Sequence, residues 1–160
     1  MANKIVVVVL GNRNSGKSTT WNRLFGTTVK TGTRERLLQL HKSKSVSVFL
    51  VSGSPEERSL YVGDIIGNSE PKIVLCSMQY TESVSQTIEF FRERGYSFYV
   101  QWLNPGFSDP APQQDNLGLF ADLIDSGAIV SKRDGKVDCT ARVEEIRDFI
   151  HGWAAGRGLI

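Results

Sequence analysis

Cysteine is scarce in this chain, and the scarcity bears on where the protein works. Only Cys76 and Cys139 are cysteines among the 160 residues, too few and too dispersed for a disulfide framework. Neither stands at a metal-ligand spacing from the two histidines, His41 and His151. A reducing compartment fits this usage best, and we expect a cytoplasmic protein.

Neither an excess of charge of one sign nor a long hydrophobic run is present. Lysine and arginine outnumber aspartate and glutamate by 19 to 17, which gives no clear signal for a nucleic-acid or membrane surface. The apolar run Ile5 to Leu10 is too short to span a membrane, and no cleavage pattern follows it. Linkers, repeats and low-complexity stretches are also missing. The composition predicts one domain over residues 1–160, with one hydrophobic core.

The start of the chain predicts a strand, a glycine-rich turn and a helix. Ile5 to Leu10 is apolar at every position, which is typical of a central strand covered on both faces. Trp21, Leu24 and Phe25 then recur at helical spacing up to Gly26. Strand and helix in this order indicate an α/β fold.

The next segments predict an antiparallel hairpin. Arg36 to His41 alternates apolar and polar residues, and the apolar run Val46 to Val51 follows after a short polar turn. A connection this short joins antiparallel strands, because a parallel crossover needs a dozen residues or more.

The rest of the chain alternates helices with strands. The predicted elements are a helix from the capping-box pattern Ser54-Pro55-Glu56-Glu57 to about Ile66, strand Ile73 to Met78, helix Glu82 to Arg94, strand Ser97 to Leu103, a helix marked by Leu117, Phe120, Ala121 and Ile124, strand Ala128 to Ser131, and a helix from Arg142 to about Gly156. This order predicts a three-layer α/β/α fold with a mostly parallel sheet and one antiparallel hairpin strand. The ligand of such a sheet belongs at the carboxyl ends of the strands.

The turn after the first strand fits the phosphate-binding pattern G-x-x-x-x-G-K-[ST] in full, so we expect the P-loop NTPase form of this fold. In that pattern backbone N–H groups cradle the phosphates, Lys17 reaches the β- and γ-phosphates, and the Ser18 hydroxyl ligates Mg²⁺. The loop opens a helix, whose amino terminus favours anions. The predicted nucleotide-binding residues are Gly11, Asn12, Arg13, Asn14, Ser15, Gly16, Lys17, Ser18 and Thr19.

The segment Gly11 to Gly26 resembles the first motif of the Era-like GTPases. It reads G-x-x-N-x-G-K-S-T-x-x-N-x-L-x-G, and the order of elements after it is similar to a Ras-like G domain. The resemblance implies a nucleotide-dependent switch that binds GTP or ATP with Mg²⁺. It also implies a switch loop and protein partner at residues 27–36, with Thr31 or Thr33 closing on the metal and the γ-phosphate beside the catalytic Lys17.

Two later motifs of the resembled family are incomplete here. The family's D-x-x-G aspartate is missing from Val51 to Glu57, and only Asn104 stands where the family has N-K-x-D for the base. We therefore expect weak NTPase activity, slow or dependent on a partner, with Asn104 as a nucleotide contact. Glu56 and Glu57 are candidates to replace the missing carboxylate, although helix capping also explains them.

Two other functions fit the phosphate loop. A small P-loop kinase would transfer the γ-phosphoryl group to a small molecule or nucleotide, with the segment Pro105 to Pro112 as a lid and Asp109 facing the acceptor. A non-hydrolysing interaction module would respond to nucleotide occupancy alone, and the missing acidic residues favour it.

Overall fold

The computed structural model describes residues 3–107 and 115–160. The elements are, in chain order, β1 (Ile5–Gly11), α1 (Lys17–Phe25), β2 (Arg36–Gln39), a 3-10 turn (His41–Ser43), β3 (Ser45–Val51), α2 (Val62–Ile66), β4 (Ile73–Gln79), α3 (Val84–Glu93), β5 (Ser97–Leu103), α4 (Leu119–Asp125), β6 (Ile129–Arg133) and α5 (Thr140–Gly156). None of the helices within these ranges is both long and apolar enough to cross a bilayer.

The described strands form one six-stranded sheet around β1. Its order is β2-β3-β4-β1-β5-β6, and β1 pairs in parallel with both β4 and β5. Every residue of β1 is buried, as its uninterrupted apolar pattern predicted. β2 is the antiparallel strand, pairing with β3 so that Arg36 faces Val48. The predicted fold class, with its hairpin, is confirmed; the extent of one domain over residues 1–160 stays a prediction.

The sheet separates two hydrophobic cores, where composition predicted one. Val6, Val8 and Leu10 of β1 pack on one face with apolar residues of α2, α3 and α4. Ile5, Val7 and Val9 pack on the other face with residues of α1 and α5. The reason is the two-residue period of a strand, which sends alternate side chains to opposite faces. Because helices cover both faces of the sheet, the molecule has three layers, helix, sheet and helix.

The helix predicted from Ser54 to Ile66 is wrong over its first half. Residues 55–59 form successive turns, Ser59 has a φ of +53°, and the helix is confined to Val62–Ile66. The Ser54 hydroxyl is buried without a hydrogen-bond partner among the described residues. No capping box forms, because both glutamates contact other parts of the molecule.

The fourth predicted helix is present as α4, but only part of its marked apolar set is buried. Phe120 packs partly buried against the core, whereas Leu117 and Ile124 are 38 % and 44 % exposed. Leu119 and Leu123 are the buried residues of α4, so packing against the sheet shifts the apolar face by one position.

Trp21 connects α1 to the neighbouring strand β4. Its side chain is fully buried, and the indole N–H donates to the Ser77 hydroxyl at 2.8 Å. We expect Ser77→Ala to lower the free energy of unfolding by about 1–3 kcal/mol, because a buried donor would lose its acceptor. Urea denaturation measures this, with Ser47→Ala on an exposed position of β3 as the matched control. Equal stability of the two variants would contradict the assigned role.

Candidate functional site

The loop between β1 and α1 has the backbone of an anion cradle. It lies at the carboxyl end of the central strand, with Asn14 and Gly16 at φ values of +62° and +106°. Within residues 3–107 and 115–160 no side chain caps the first turn of α1, and that turn contains no acidic residue. The first N–H groups of a helix have no partner within it. These groups, together with the helix dipole, favour a bound anion.

The Lys17 ammonium is saturated with hydrogen bonds. It donates to the carbonyl oxygens of Gly11 at 3.2 Å and Asn12 at 2.8 Å, and it pairs with the Glu57 carboxylate at 3.0 Å. An ammonium group has three N–H donors, so all three are engaged. Of these partners only Glu57 is a side chain, and it therefore has the greatest freedom to move away.

Glu56 and Glu57 point into different cavities. Glu57 joins Ser18 and the phosphate loop around a cavity of about 340 Å³. Glu56 lines a second cavity of about 380 Å³ beside α3, where its carboxylate accepts from the Gln79 N–H at 2.6 Å and the Thr87 hydroxyl at 2.5 Å. Burial raises the pKa of Glu56, against the effect of these hydrogen bonds. Of the two carboxylates, Glu57 forms the ion pair with Lys17. Glu56 lies near enough for the Lys17 charge to lower its pKa, and the Gln79 that it bonds is paired with Gly11 in the sheet.

Asn104, at the end of β5, bridges two loops. Its side-chain N–H donates to the Ser15 carbonyl at 3.1 Å, and its side-chain oxygen accepts from the Gly135 N–H at 2.6 Å. The residue is fully buried. Asn104 therefore attaches the phosphate loop to the loop between β6 and α5. A direct contact with nucleotide stays a prediction.

The loop between β6 and α5 packs against the phosphate loop at close range. A Cβ atom placed on Gly135 would lie 2.1 Å from the Ser15 carbonyl oxygen, a distance that no real Cβ contact tolerates. Lys136 donates to the Asn14 carbonyl at 2.5 Å. Glycine at 135 is thus required by the approach of two backbones.

A buried guanidinium, that of Arg142, packs against the first turn of α1. Arg142 of α5 is 4 % exposed and donates to the Thr20 hydroxyl at 2.5 Å, and that hydroxyl donates to the Gly16 carbonyl at 2.9 Å. Burial lowers the pKa of the Arg142 guanidinium. Its positive charge adds to the potential that the cradle presents to an anion.

The two threonines of the switch loop are placed differently. The Thr31 hydroxyl accepts from the Ser52 N–H at 3.0 Å and the Gly53 N–H at 3.4 Å. Thr31 also lines a cavity of about 560 Å³ together with Ser18. Thr33 is exposed and does not line that cavity. Thr31 therefore shares a cavity with Ser18, and Thr33 does not; a role of either in binding metal or phosphate stays a prediction.

The other predicted contacts lie on or around the cradle. Asn14, Ser15, Gly16, Lys17, Ser18 and Thr19 line the 340 Å³ cavity, while Arg13 is exposed and Asn12 half-buried. Their contact with a ligand stays a prediction. Asp109, the acceptor-facing residue of a kinase, lies outside the described residues.

Comparisons with known proteins show little similarity in sequence. No protein-family model matches the chain, and no curated protein matches it. A search of solved structures finds, among others, the chloroplast translocon components atToc33 and psToc159, for whose GTPase activity dimerization is important. That structure has 16 % identity and a TM-score of 0.42, and the match covers 86 % of this chain and 72 % of that one.

Sequence reasoning did not find Gly135, Lys136 or Arg142. Gly135 stands in the turn Arg133-Asp134-Gly135, which the sequence shows as a turn and nothing more. Arg142 stands at the start of a pattern that predicts an ordinary amphipathic helix. No local pattern marks these residues, because their role depends on a loop more than a hundred positions earlier in the chain.

Proposed function

We propose that this chain binds a nucleoside triphosphate, GTP or ATP, with Mg²⁺ at the loop Gly11 to Ser18 and acts as a nucleotide-dependent switch. The observation that carries the proposal is the uncapped amino terminus of α1, which opens with Lys17 onto one polar cavity. The backbone N–H groups and the Lys17 ammonium hold the phosphates. The buried charge of Arg142, which is bonded to Thr20 in the first turn of α1, adds to the attraction for the phosphates.

The residues around this cavity fit Mg²⁺. Ser18 is exposed at the first turn of α1, and Glu57 lines the same cavity. A hydroxyl and a carboxylate are oxygen ligands of the kind that Mg²⁺ prefers. Ser18 would hold the ion directly, and Glu57 would replace the carboxylate missing after β3. The bound ion supplies neutralisation of phosphate charge.

The switch character follows from how Glu57 and Thr31 are connected. Thr31 is bonded to the backbone of Ser52 and Gly53, and residues 52–57 run from there to the Lys17 pair. Phosphates that take over Lys17 release Glu57, and this segment transmits the change to the loop 27–36. That loop is largely exposed and is the proposed contact surface for a protein partner.

We infer slow or partner-dependent hydrolysis. The carboxylate beside Lys17 is Glu57, which is engaged in an ion pair, and Glu56 is bonded to Gln79 and Thr87. A water molecule needs a positioned acceptor before it attacks a phosphate. Unassisted turnover should be on the order of 10⁻⁴ to 10⁻² per second.

The test is a titration of the purified protein with non-hydrolysable GTP and ATP analogues, with and without Mg²⁺. Binding of both within about tenfold, a gap of roughly 1.4 kcal/mol, is expected, because both polar groups of Asn104 already have backbone partners. Absence of binding in all four conditions would overturn the proposal. Fast hydrolysis by the isolated protein would overturn the expected slow turnover.

Replacing Ser18 by alanine should remove most of the Mg²⁺ dependence of binding. The hydroxyl is the ligand that the first turn of α1 contributes, and oxygen ligands in a fixed position are what the ion requires. Calorimetry with the GTP analogue at several Mg²⁺ concentrations measures the effect. Ser47→Ala, at an exposed position of β3 outside the cavity, is the control. An unchanged metal effect in Ser18→Ala would make Glu56 or Glu57 the metal ligand to test.

Replacing Glu57 by glutamine should strengthen triphosphate binding in the absence of Mg²⁺. The carboxylate competes with phosphate for Lys17, and a partly exposed ion pair contributes up to about 1 kcal/mol. The affinity for triphosphate without metal is expected to rise about threefold to fivefold. Adding Mg²⁺ should then increase the affinity less than it does in the wild type. The matched control is Glu70→Gln, which breaks the Lys4–Glu70 pair. It should change neither the metal-free affinity nor the increase in affinity caused by Mg²⁺. Weaker metal-free binding by the Glu57 variant would contradict the competition.

A further inference from the structure

A second cluster of polar side chains lies outside the cavity at the phosphate loop. His41 stands in the turn between β2 and β3, at the amino-terminal end of β3, whereas the phosphate loop follows the carboxyl end of β1. The cluster also contains Glu144 and Asp148 of α5, and none of these three residues lines the 340 Å³ cavity.

The ligand atoms of this cluster converge. One nitrogen of His41 and one carboxylate oxygen each from Glu144 and Asp148 lie within 4.8 Å of one another. His41 Nε2 is 2.5 Å from Asp148 Oδ1. Ligands of a tetrahedral zinc ion stand roughly 3.4 Å apart, given bonds of about 2.1 Å. Small side-chain rotations would bring these three atoms to that spacing.

The surrounding contacts hold the cluster in place. Glu144 and Asp148 are four residues apart on one face of α5. Arg147 donates to the Glu144 carboxylate at 3.2 Å and is itself bonded to the backbone carbonyls of Gln39 and Leu24. Outer contacts of this kind orient ligands in metal sites.

The second histidine of the chain, His151, lies next to His41. The ring of His151 is centred 5.5 Å from that of His41, one turn along α5 from Asp148. Its Nδ1 atom is buried and has no hydrogen-bond partner among the described residues. Both histidines of the chain are thus in contact, and the first of them pairs with Asp148.

We propose that His41, Glu144 and Asp148 bind a divalent transition metal of the zinc type. Imidazole with carboxylates suits zinc, whereas Mg²⁺ and Ca²⁺ prefer oxygen ligands alone. The bound ion fastens the turn His41–Ser43 to α5, and so joins the hairpin to the last helix. This site does not depend on the proposed nucleotide binding.

The test is a zinc titration of the full chain without nucleotide, followed by calorimetry and by NMR of the two histidine rings. One equivalent should bind and shift the His41 signals, and Mg²⁺ in excess should do neither. Zinc should also raise the melting temperature, because a ligand that binds only the folded state stabilises it.

Two variants locate the site. His41→Gln and Glu144→Gln should each weaken zinc binding by about tenfold or more. Glu89→Gln is the matched control, because Glu89 forms the same i,i+3 pair with Arg92 on α3 that Glu144 forms with Arg147. Zinc binding unchanged in His41→Gln, or no binding by the wild type, would overturn the proposal and leave a surface ion pair.

Discussion

Replacing Lys17 by alanine is expected to weaken triphosphate binding by more than about a hundredfold. The ammonium is the charged donor within the cradle, and hydrogen bonds to charged groups contribute about 1.5–3 kcal/mol each. Losing two of them exceeds the roughly 2.7 kcal/mol that corresponds to a hundredfold change. Isothermal calorimetry with a GTP analogue measures the loss.

The fold should survive this substitution. Lys17 is bonded to two carbonyls of its own loop and to Glu57, whose side chain is 30 % exposed, so hydration can replace the ion pair. The Lys17 side chain is 6 % exposed, so its loss should lower the free energy of unfolding by about 1–3 kcal/mol, because buried partners lose a donor. Lys4→Ala, which removes the lysine of the Lys4–Glu70 pair, should bind nucleotide normally. Wild-type affinity in the Lys17 variant would falsify the assignment of the phosphate loop.

Replacing Gly135 by alanine should damage the candidate site, although Gly135 is not itself one of the predicted nucleotide contacts. The added methyl group would lie 2.1 Å from the Ser15 carbonyl oxygen and 3.1 Å from the Leu103 side chain. Because the first neighbour is backbone, the phosphate loop itself must move. We expect a loss of about 1–3 kcal/mol in stability and about tenfold or more in triphosphate affinity.

The control for this variant is another glycine-to-alanine change. A Cβ atom on Gly152, inside α5, meets nothing within 4 Å. Gly152→Ala should therefore raise stability by about 0.5–1 kcal/mol through helix propensity alone and leave affinity unchanged. If Gly135→Ala behaved like Gly152→Ala, the two loops would not be in the contact described here.

Long, uniform patterns were enough to predict most of the fold. The six apolar residues Ile5 to Leu10 identified the central strand, the short polar connection before Val46 identified the hairpin, and the helical spacing from Val143 to Trp153 identified α5. Each signal is local, and hydrophobic periodicity dominates when both faces of an element are buried. The predicted helix over residues 54–66 is wrong in its first half, because Glu56 and Glu57 bind residues far away in the chain that no local pattern reveals.

For the candidate site too, some features are predicted by local sequence and others appear only in the tertiary structure. The pattern from Gly11 to Ser18 by itself predicts where a phosphate would be held, because close backbone approach and a helix amino terminus are encoded in consecutive residues. Only the tertiary structure decided that Glu57 pairs with Lys17, that Thr31 and not Thr33 lines a cavity with Ser18, and that Gly135 and Arg142 pack against the phosphate loop and the start of α1. These contacts join residues far apart in the chain, and distances between such residues are decided by the packing of the sheet and helices rather than by any local sequence.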